Sequence, residues 1–300
     1  MANQSLHQST NQSQQAARKH ATPLLMRVPA AAFHVVMLGA IVVWSLPLIG
    51  LVINAFRPFT TATSSGWWTV FSNPEFTLDN FRTALSSKEL LSGLINSLLI
   101  TLPTTFLVVA VAAAAAFALT WTDLPGRVWI FTFIVALLVV PPEITLYPSL
   151  VILKQVGLIN TFPGIWLSHT ASAMPFGVFL LGSFFAQIPR ELMEAAKVDG
   201  AKTRHLLFRI VLPLSSSSLA SLATFDFLWV WNDLLRALVI IPDPSIRPLT
   251  AVLANLGGGY GEYITVMAAG ATLLMLPPML VFLLAQRAFI RGVLAGAVKG

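Results

Sequence analysis

The sequence has no cysteine, which excludes disulfides and thiolate metal sites. It has no Gly-x-x-x-x-Gly-Lys-Ser/Thr sequence, so it holds no P-loop with which to bind ATP. The five histidines, His7, His20, His34, His169 and His205, show no metal-ligand spacing. Charge is scarce: Asp, Glu, Lys and Arg make up 10% of the chain, against about 25% in soluble domains. That excludes the pair of soluble domains that 300 residues would otherwise allow. The net charge is +6. Its basic residues are scattered over short loops, which argues for a topology signal and against nucleic acid.

Hydrophobic residues make up 56% of the chain and the mean hydropathy is +0.78. These values predict an all-α integral membrane protein in a lipid bilayer. Residues 1–24 are rich in Gln, Ser and Asn, lack the apolar content to fold, and are expected to be a disordered tail. No cleaved signal peptide is expected, because the first apolar run starts near Ala30 and exceeds the length of a signal core. Residues 25–300 then form one membrane domain. It has six apolar runs, each long enough to cross about 30 Å of hydrocarbon.

The runs are Phe33–Ala55, Leu94–Thr120, Val128–Ile152, Pro163–Ala186, Leu214–Ile241 and Ile264–Phe289. The second contains Ala112–Ala116, whose small side chains let helix backbones approach closely. Prolines interrupt the third (Pro141, Pro142, Pro148) and the sixth (Pro277, Pro278), and Pro175 lies inside the fourth. Two readings stand: bent helices around a pathway, or the ordinary tolerance of membrane helices for proline. With the N-terminus inside, inner segments carry 12 Lys and Arg and outer segments 6. That bias puts both termini in the cytoplasm. Trp67 and Trp68, in the long outer segment 56–93, suit the membrane interface.

One segment stands apart. Residues 188–213, IPRELMEAAKVDGAKTRHLLFRIVLP, hold five of the 18 Lys and Arg and three of the 12 acids. Their grammar is helix, break, helix. Pro189 suits a first helical position, Glu191 and Glu194 sit near the positive end of a helix dipole, and Gly200 can take a left-handed turn. A second helix, Ala201–Ile210, is predicted to stop before Pro213. Glu194-Ala195-Ala196, Asp199-Gly200-Ala201 and Ile210-x-Leu212-Pro213 resemble the EAA loop of ABC-importer permeases. In that family the loop is a cytoplasmic coupling helix that docks on a partner ATPase. The bland alternative is an amphipathic surface helix capping a bundle.

The fifth run, SSSSLASLATFDFLWVWNDLLRALVII, carries charges, which are rare inside membranes and usually functional. At about 100° per residue, Asp226, Asp233, Trp229, Arg236, Phe225 and Asn232 share an arc of roughly 120°. Trp231 faces the other way. Acids, aromatics and an amide on one face suit a sugar. The competing reading is a structural network in which Asp233 pairs with Arg236. Glu143 and Tyr147, from the third run, join Phe225, Asp226, Trp229, Asn232 and Asp233 as candidates for a substrate path. FLWVWNDLL resembles the Trp-Asn-acid signature that follows the EAA loop in carbohydrate permeases, although Arg236 replaces a residue that is often uncharged there.

The C-terminal tail (290–300) resembles that of carbohydrate permeases through Arg291, Gly292, Gly296, Val298, Lys299 and Gly300. Its glycines would permit an extended backbone, and in a relative the tail enters the interface between the ATPase subunits. Read alone, it is a basic tail at the membrane surface.

Together the resemblances, from about residue 75 onward, identify a type I ABC importer permease of the carbohydrate-uptake family. It is similar to the MalG-type and closest in look to permeases for α-glucosides and glucosylglycerol. The family implies a multi-pass protein of the bacterial inner membrane, non-catalytic, without metal or cofactor of its own. It implies a second permease (MalF-type), a pair of ATPases (MalK-type) that bind ATP and Mg, an extracytoplasmic solute-binding protein and a sugar. Two other classes stay open: a proton-coupled secondary transporter using Glu143, Asp226 or Asp233, and a non-transporting scaffold.

Overall fold

The computed structural model describes residues 30–256 and 263–297, with side chains over 31–256 and 263–286. Every regular element among them is helical, as hydrocarbon requires of segments that satisfy their own backbone groups. The predicted tail, residues 1–24, lies outside the described residues.

Contacts group the chain into residues 1–50 and 51–300. The first unit holds most of α1 (Ala30–Ala55), which runs through Pro47. In the second unit the 56–87 segment folds into α2 (Phe59–Ser64), a 3-10 turn (Trp67–Phe71) and α3 (Asp79–Ser86). A buried Arg57 holds it together, donating to Ser65 Oγ at 2.6 Å, Thr61 O at 2.9 Å and Thr69 Oγ1 at 3.2 Å. Trp68 and Phe71 are left exposed.

The principal pair is α4 (Lys88–Trp121) against α7 (Phe162–Phe185). Ala112 and Ala116 are fully buried here. A Cβ added to Gly177 would lie 2.9 Å from the Cβ of Ala112, so the alanine run does bring two backbones close, as its small side chains predict. Val108, Phe117, Val178, Leu181 and Phe185 extend this core.

The third run is broken. It forms α5 (Arg127–Ala136), a 3-10 turn (Leu137–Val139), a turn at Pro141-Pro142, and α6 (Leu146–Gln155). After α8 (Arg190–Val198) and α9 (Thr203–Leu206), the fifth run is also broken, into α10 (Ser216–Asn232) and α11 (Leu235–Ile240). The chain closes with α12 (Leu249–Leu256) and α13 (Ile264–Ala297).

Among the described residues, four helices (α1, α4, α7 and α13) are long and apolar enough to span a membrane. The pair Thr203–Leu214 and Ser216–Asn232, bent by 77°, would make a fifth, and Arg127–Val139 is a shorter apolar helix. The six predicted runs are all helical but are not six unbroken spans.

The sixth run corrects an expectation. Pro277 and Pro278 lie inside an uninterrupted α13. A proline at position i leaves the carbonyl of residue i−4 without its donor. Here Pro278 frees the Leu274 carbonyl, and Trp231 Nε1 donates to it at 2.9 Å. The same exchange recurs once. Pro103 frees the Leu99 carbonyl, which accepts from Trp166 Nε1 at 2.9 Å. At the C-terminus of α7 the Phe185 carbonyl, which accepts the Ile188 N–H at 3.3 Å, also accepts from Trp121 Nε1 at 3.2 Å. Each indole therefore also fastens one element to another. Trp231→Phe keeps the ring stacked on Phe227 but orphans a part-buried carbonyl, at a cost of about 1 kcal/mol. Pro278→Ala restores the missing N–H, so in detergent melting curves the double variant should regain part of the Tm lost by Trp231→Phe. No recovery would mean the indole acts through packing alone.

Candidate functional site

The charged segment begins at α8, whose first helical residue is Arg190, one later than the proline rule placed it. It ends in two bonds of a Schellman cap, Gly200 N to Lys197 O at 3.0 Å and Ala201 N to Ala196 O at 2.9 Å. Gly200 sits at φ +79°, as the left-handed turn requires. Glu194, Ala195, Asp199 and Gly200 face solvent, whereas Ala196, Ala201, Ile210 and Leu212 pack on the α4–α7 core beside the buried Met193 and Leu206. Sequence reading named these positions together; the fold divides them into an exposed face and an anchored face.

The second helix differs from prediction. It is α9, then a π turn (Leu207–Val211), then one turn at Leu212–Leu214. It carries on through the exposed Pro213 instead of stopping before it. The wide π turn takes up the ring and missing N–H of Pro213, and the sharp bend follows at Ser215.

A cleft of about 350 Å³ is lined by Pro142, Glu143, Leu146, Trp229, Asn232, Asp233, Leu234, Leu235 and Arg236. It gathers four of the predicted path residues: Glu143, Trp229, Asn232 and Asp233. Glu143 is placed by the Pro141-Pro142 turn. Trp229 offers an exposed ring. Asn232 spends its amide N–H on Leu228 O at 2.7 Å, which leaves its carbonyl oxygen as an acceptor.

Three predicted residues lie apart from the cleft. Tyr147 is exposed beyond it. Phe225 packs edge-on against Phe176 at 5.7 Å. Asp226 is buried behind it, in a small void with His169, Ser172, Trp229 and Arg236. Its Oδ2 is buried, and the side chain within hydrogen-bonding reach of its carboxyl is the half-buried Thr105, whose Oγ1 is likewise buried. Trp231 points away, buried, as the helical wheel predicted.

The wheel fails after Asn232. α10 stops at Asn232, and Asp233 is extended at ψ 113°. Asp233 instead begins the next element: its Oδ1 accepts the Arg236 N–H at 3.0 Å, as a capping aspartate does. Its Oδ2 lies 3.5 Å from Arg236 Nε and 3.7 Å from His169 Nδ1. Arg236 is buried inside α11, so it is no loop charge, and the outer Lys and Arg fall from 6 to 5. It donates to Ser168 Oγ and Ser172 Oγ, both at 2.8 Å, and to Pro142 O at 3.3 Å. Sequence reasoning missed His169, Ser168 and Ser172. The available signal was two serines four apart within an apolar run, hence on one helix face.

In the C-terminal tail, α13 continues to Ala297. The backbone at Arg291, Gly292 and Gly296 is therefore helical where the glycines suggested extension. Val298, Lys299 and Gly300 lie outside the described residues.

Comparison with known proteins agrees with this architecture. Residues 110–295 match the family described as "Binding-protein-dependent transport system inner membrane component". The osmoprotective compounds uptake permease protein GgtD of Synechocystis sp. is 43% identical over 271 residues, covering 89% of this chain and 91% of that protein. The alpha-glucoside transport system permease protein AglG of Rhizobium meliloti is 41% identical over 240 residues, covering 78% of this chain and 63% of that protein. A crystal structure of a bacterial ABC transporter that imports alginate superposes with a TM-score of 0.75 at 21% identity, over 89% of this chain and 100% of that one. At that identity the likeness shows the fold. With the family match spanning more than half of the chain, this protein belongs to the binding-protein-dependent transport system inner membrane components.

Proposed function

We propose that this chain is one half of the pore of an ATP-driven sugar importer in a bacterial inner membrane, with both termini in the cytoplasm. The observation that carries the reading is the two-faced segment at residues 190–214. One face is exposed at Glu194, Ala195 and Asp199, and the other is anchored in the α4–α7 core through Ala196 and Ile210. Such a segment passes a push at the surface to the helices. A pair of ATPases, closing on ATP and Mg, would move it; an extracytoplasmic binding protein would deliver the sugar; a second permease would complete the pore. Alternating access then follows from the different stability of two states. Family membership does not favour the proton-coupled alternative.

The sugar would meet the cleft at Trp229, Asn232, Asp233 and Glu143. An exposed indole face suits the C–H face of a pyranose, and the acceptors suit its hydroxyls. Relatives named for osmoprotective compounds and α-glucosides support a glucosyl substrate.

Pull-down from native membrane should bring two ATPase copies and a second permease, and the reconstituted complex should import a glucoside only with ATP. Import that ignores ATP and collapses with the proton gradient would overturn this reading. Within the active complex, Trp229→Ala and Asn232→Ala should each change apparent affinity several-fold, since a neutral hydrogen bond contributes about 0.5–1.5 kcal/mol. Across maltose, trehalose, sucrose and glucosylglycerol the order of preference should shift. Equal loss for every sugar, with reduced assembly, would make the cleft a structural seam.

A further inference from the structure

A second cleft, of about 340 Å³, lies between α4, α5 and α7. Its lining includes Trp121, Arg127, Val128, Phe131, Thr132 and Arg190. The position is set by where elements end. α4 finishes at Trp121 and α7 at Phe185, while Arg127 opens α5 and Arg190 opens α8. Two apolar helices thus end and a third begins around this cleft, and two cations stand there.

Neither arginine has a carboxylate within salt-bridge distance among the described residues. Arg127 makes one long hydrogen bond, to Thr122 O at 3.3 Å. No acid lines the cleft. One turn along α5 from Arg127, Phe131 forms an apolar floor. A Cβ on Gly182 would lie 3.1 Å from its ring, so the ring lies on a bare stretch of α7. Val128 and Trp129 continue the exposed apolar surface outward.

We propose that this cleft binds an anionic phospholipid, with Arg127 and Arg190 on its phosphate and its acyl chain along Phe131 and Val128. Basic pockets between membrane helices at the cytoplasmic face are suited to such headgroups. A free anion would use the two arginines but not the apolar floor. A zwitterionic lipid would use the floor but gain little from an excess of positive charge.

The test is native mass spectrometry of the full chain in detergent, titrated with phosphatidylglycerol, phosphatidylcholine or inorganic phosphate. Phosphatidylglycerol should be retained in preference to phosphatidylcholine, and inorganic phosphate at equal concentration should not displace it. Each arginine near a membrane surface contributes enough for about a fivefold change, so Arg127→Gln with Arg190→Gln should weaken retention roughly thirtyfold. Arg127→Lys with Arg190→Lys should largely keep it. Should the glutamine variant fail to fold, the wild-type chain still decides. Phosphatidylglycerol with a photoreactive acyl chain should crosslink within residues 128–132 or beside Gly182. Crosslinks confined to other helices, equal retention of phosphatidylcholine, displacement by phosphate, or an unaffected folded glutamine variant would each overturn the proposal. Uptake is not the readout, so failure here leaves the transport reading untouched.

Discussion

Gly200→Val should leave the chain inserted at its normal level, yet lower sugar-stimulated ATP hydrolysis and uptake by the assembled complex roughly tenfold or more. The reason is conformational. Gly200 is at φ +79°, and a Cβ there would meet nothing within 4 Å, so size is not the obstacle. A β-branched residue held in the left-handed region costs about 1–3 kcal/mol, and about 1.4 kcal/mol is a tenfold shift in an equilibrium. The turn would relax by releasing the bonds to Lys197 and Ala196. Glu194 and Asp199 would then no longer keep a fixed relation to the anchored Ala201 and Ile210. Gly200→Asn supplies the control, because asparagine visits the left-handed region routinely; it should retain most activity. If the valine variant supports full stimulated uptake, the segment is an ordinary surface helix and not a lever.

What the sequence showed of this fold depended on whether the cause was local. The alanine run at 112–116 foretold close packing because small side chains act wherever they are. The Pro141-Pro142 break and the Gly200 turn were legible for the same reason: each follows from one residue's own backbone. Pro277-Pro278 misled because the cure lies on another helix, in the indole of Trp231. Asp233 misled in the opposite sense. No proline marks the end of α10; an aspartate that caps the following helix does. The wheel angles beyond Asn232 therefore lost their meaning, even though Asp233 and Arg236 still meet. Asp226 shared the arc but fell behind the cleft, because the arc carries no information about which neighbours cover it. The partners of Arg236 at Ser168 and Ser172 are 68 and 64 residues away in the chain, a distance no periodicity reaches.

The same cluster yields the largest expected effect on folding. Asp233 and Arg236 are side chains only 11% and 5% exposed, 3.5 Å apart. Removing one member of a buried ion pair typically costs about 3–5 kcal/mol, because the survivor stays desolvated. Here the survivors are unequal. Without Asp233, the guanidinium keeps its two serine hydroxyls and the Pro142 carbonyl, so Asp233→Asn should fall at the mild end. It also keeps an oxygen to cap Arg236 N. Asp233→Ala loses that cap as well, worth about 1 kcal/mol. Arg236→Gln should be worse than Asp233→Asn: it strands a carboxylate beside His169, at 3.7 Å, with a second acid, Glu143, in the same cleft, and leaves Ser168 and Ser172 with a shorter partner. Asp233→Asn combined with Arg236→Gln removes both charges and should recover expression and Tm relative to Arg236→Gln alone. Monodisperse yield and melting of the four variants in detergent give the comparison. A double variant no better than Arg236→Gln would show that the serines, and not the charge pair, hold α11 against α7.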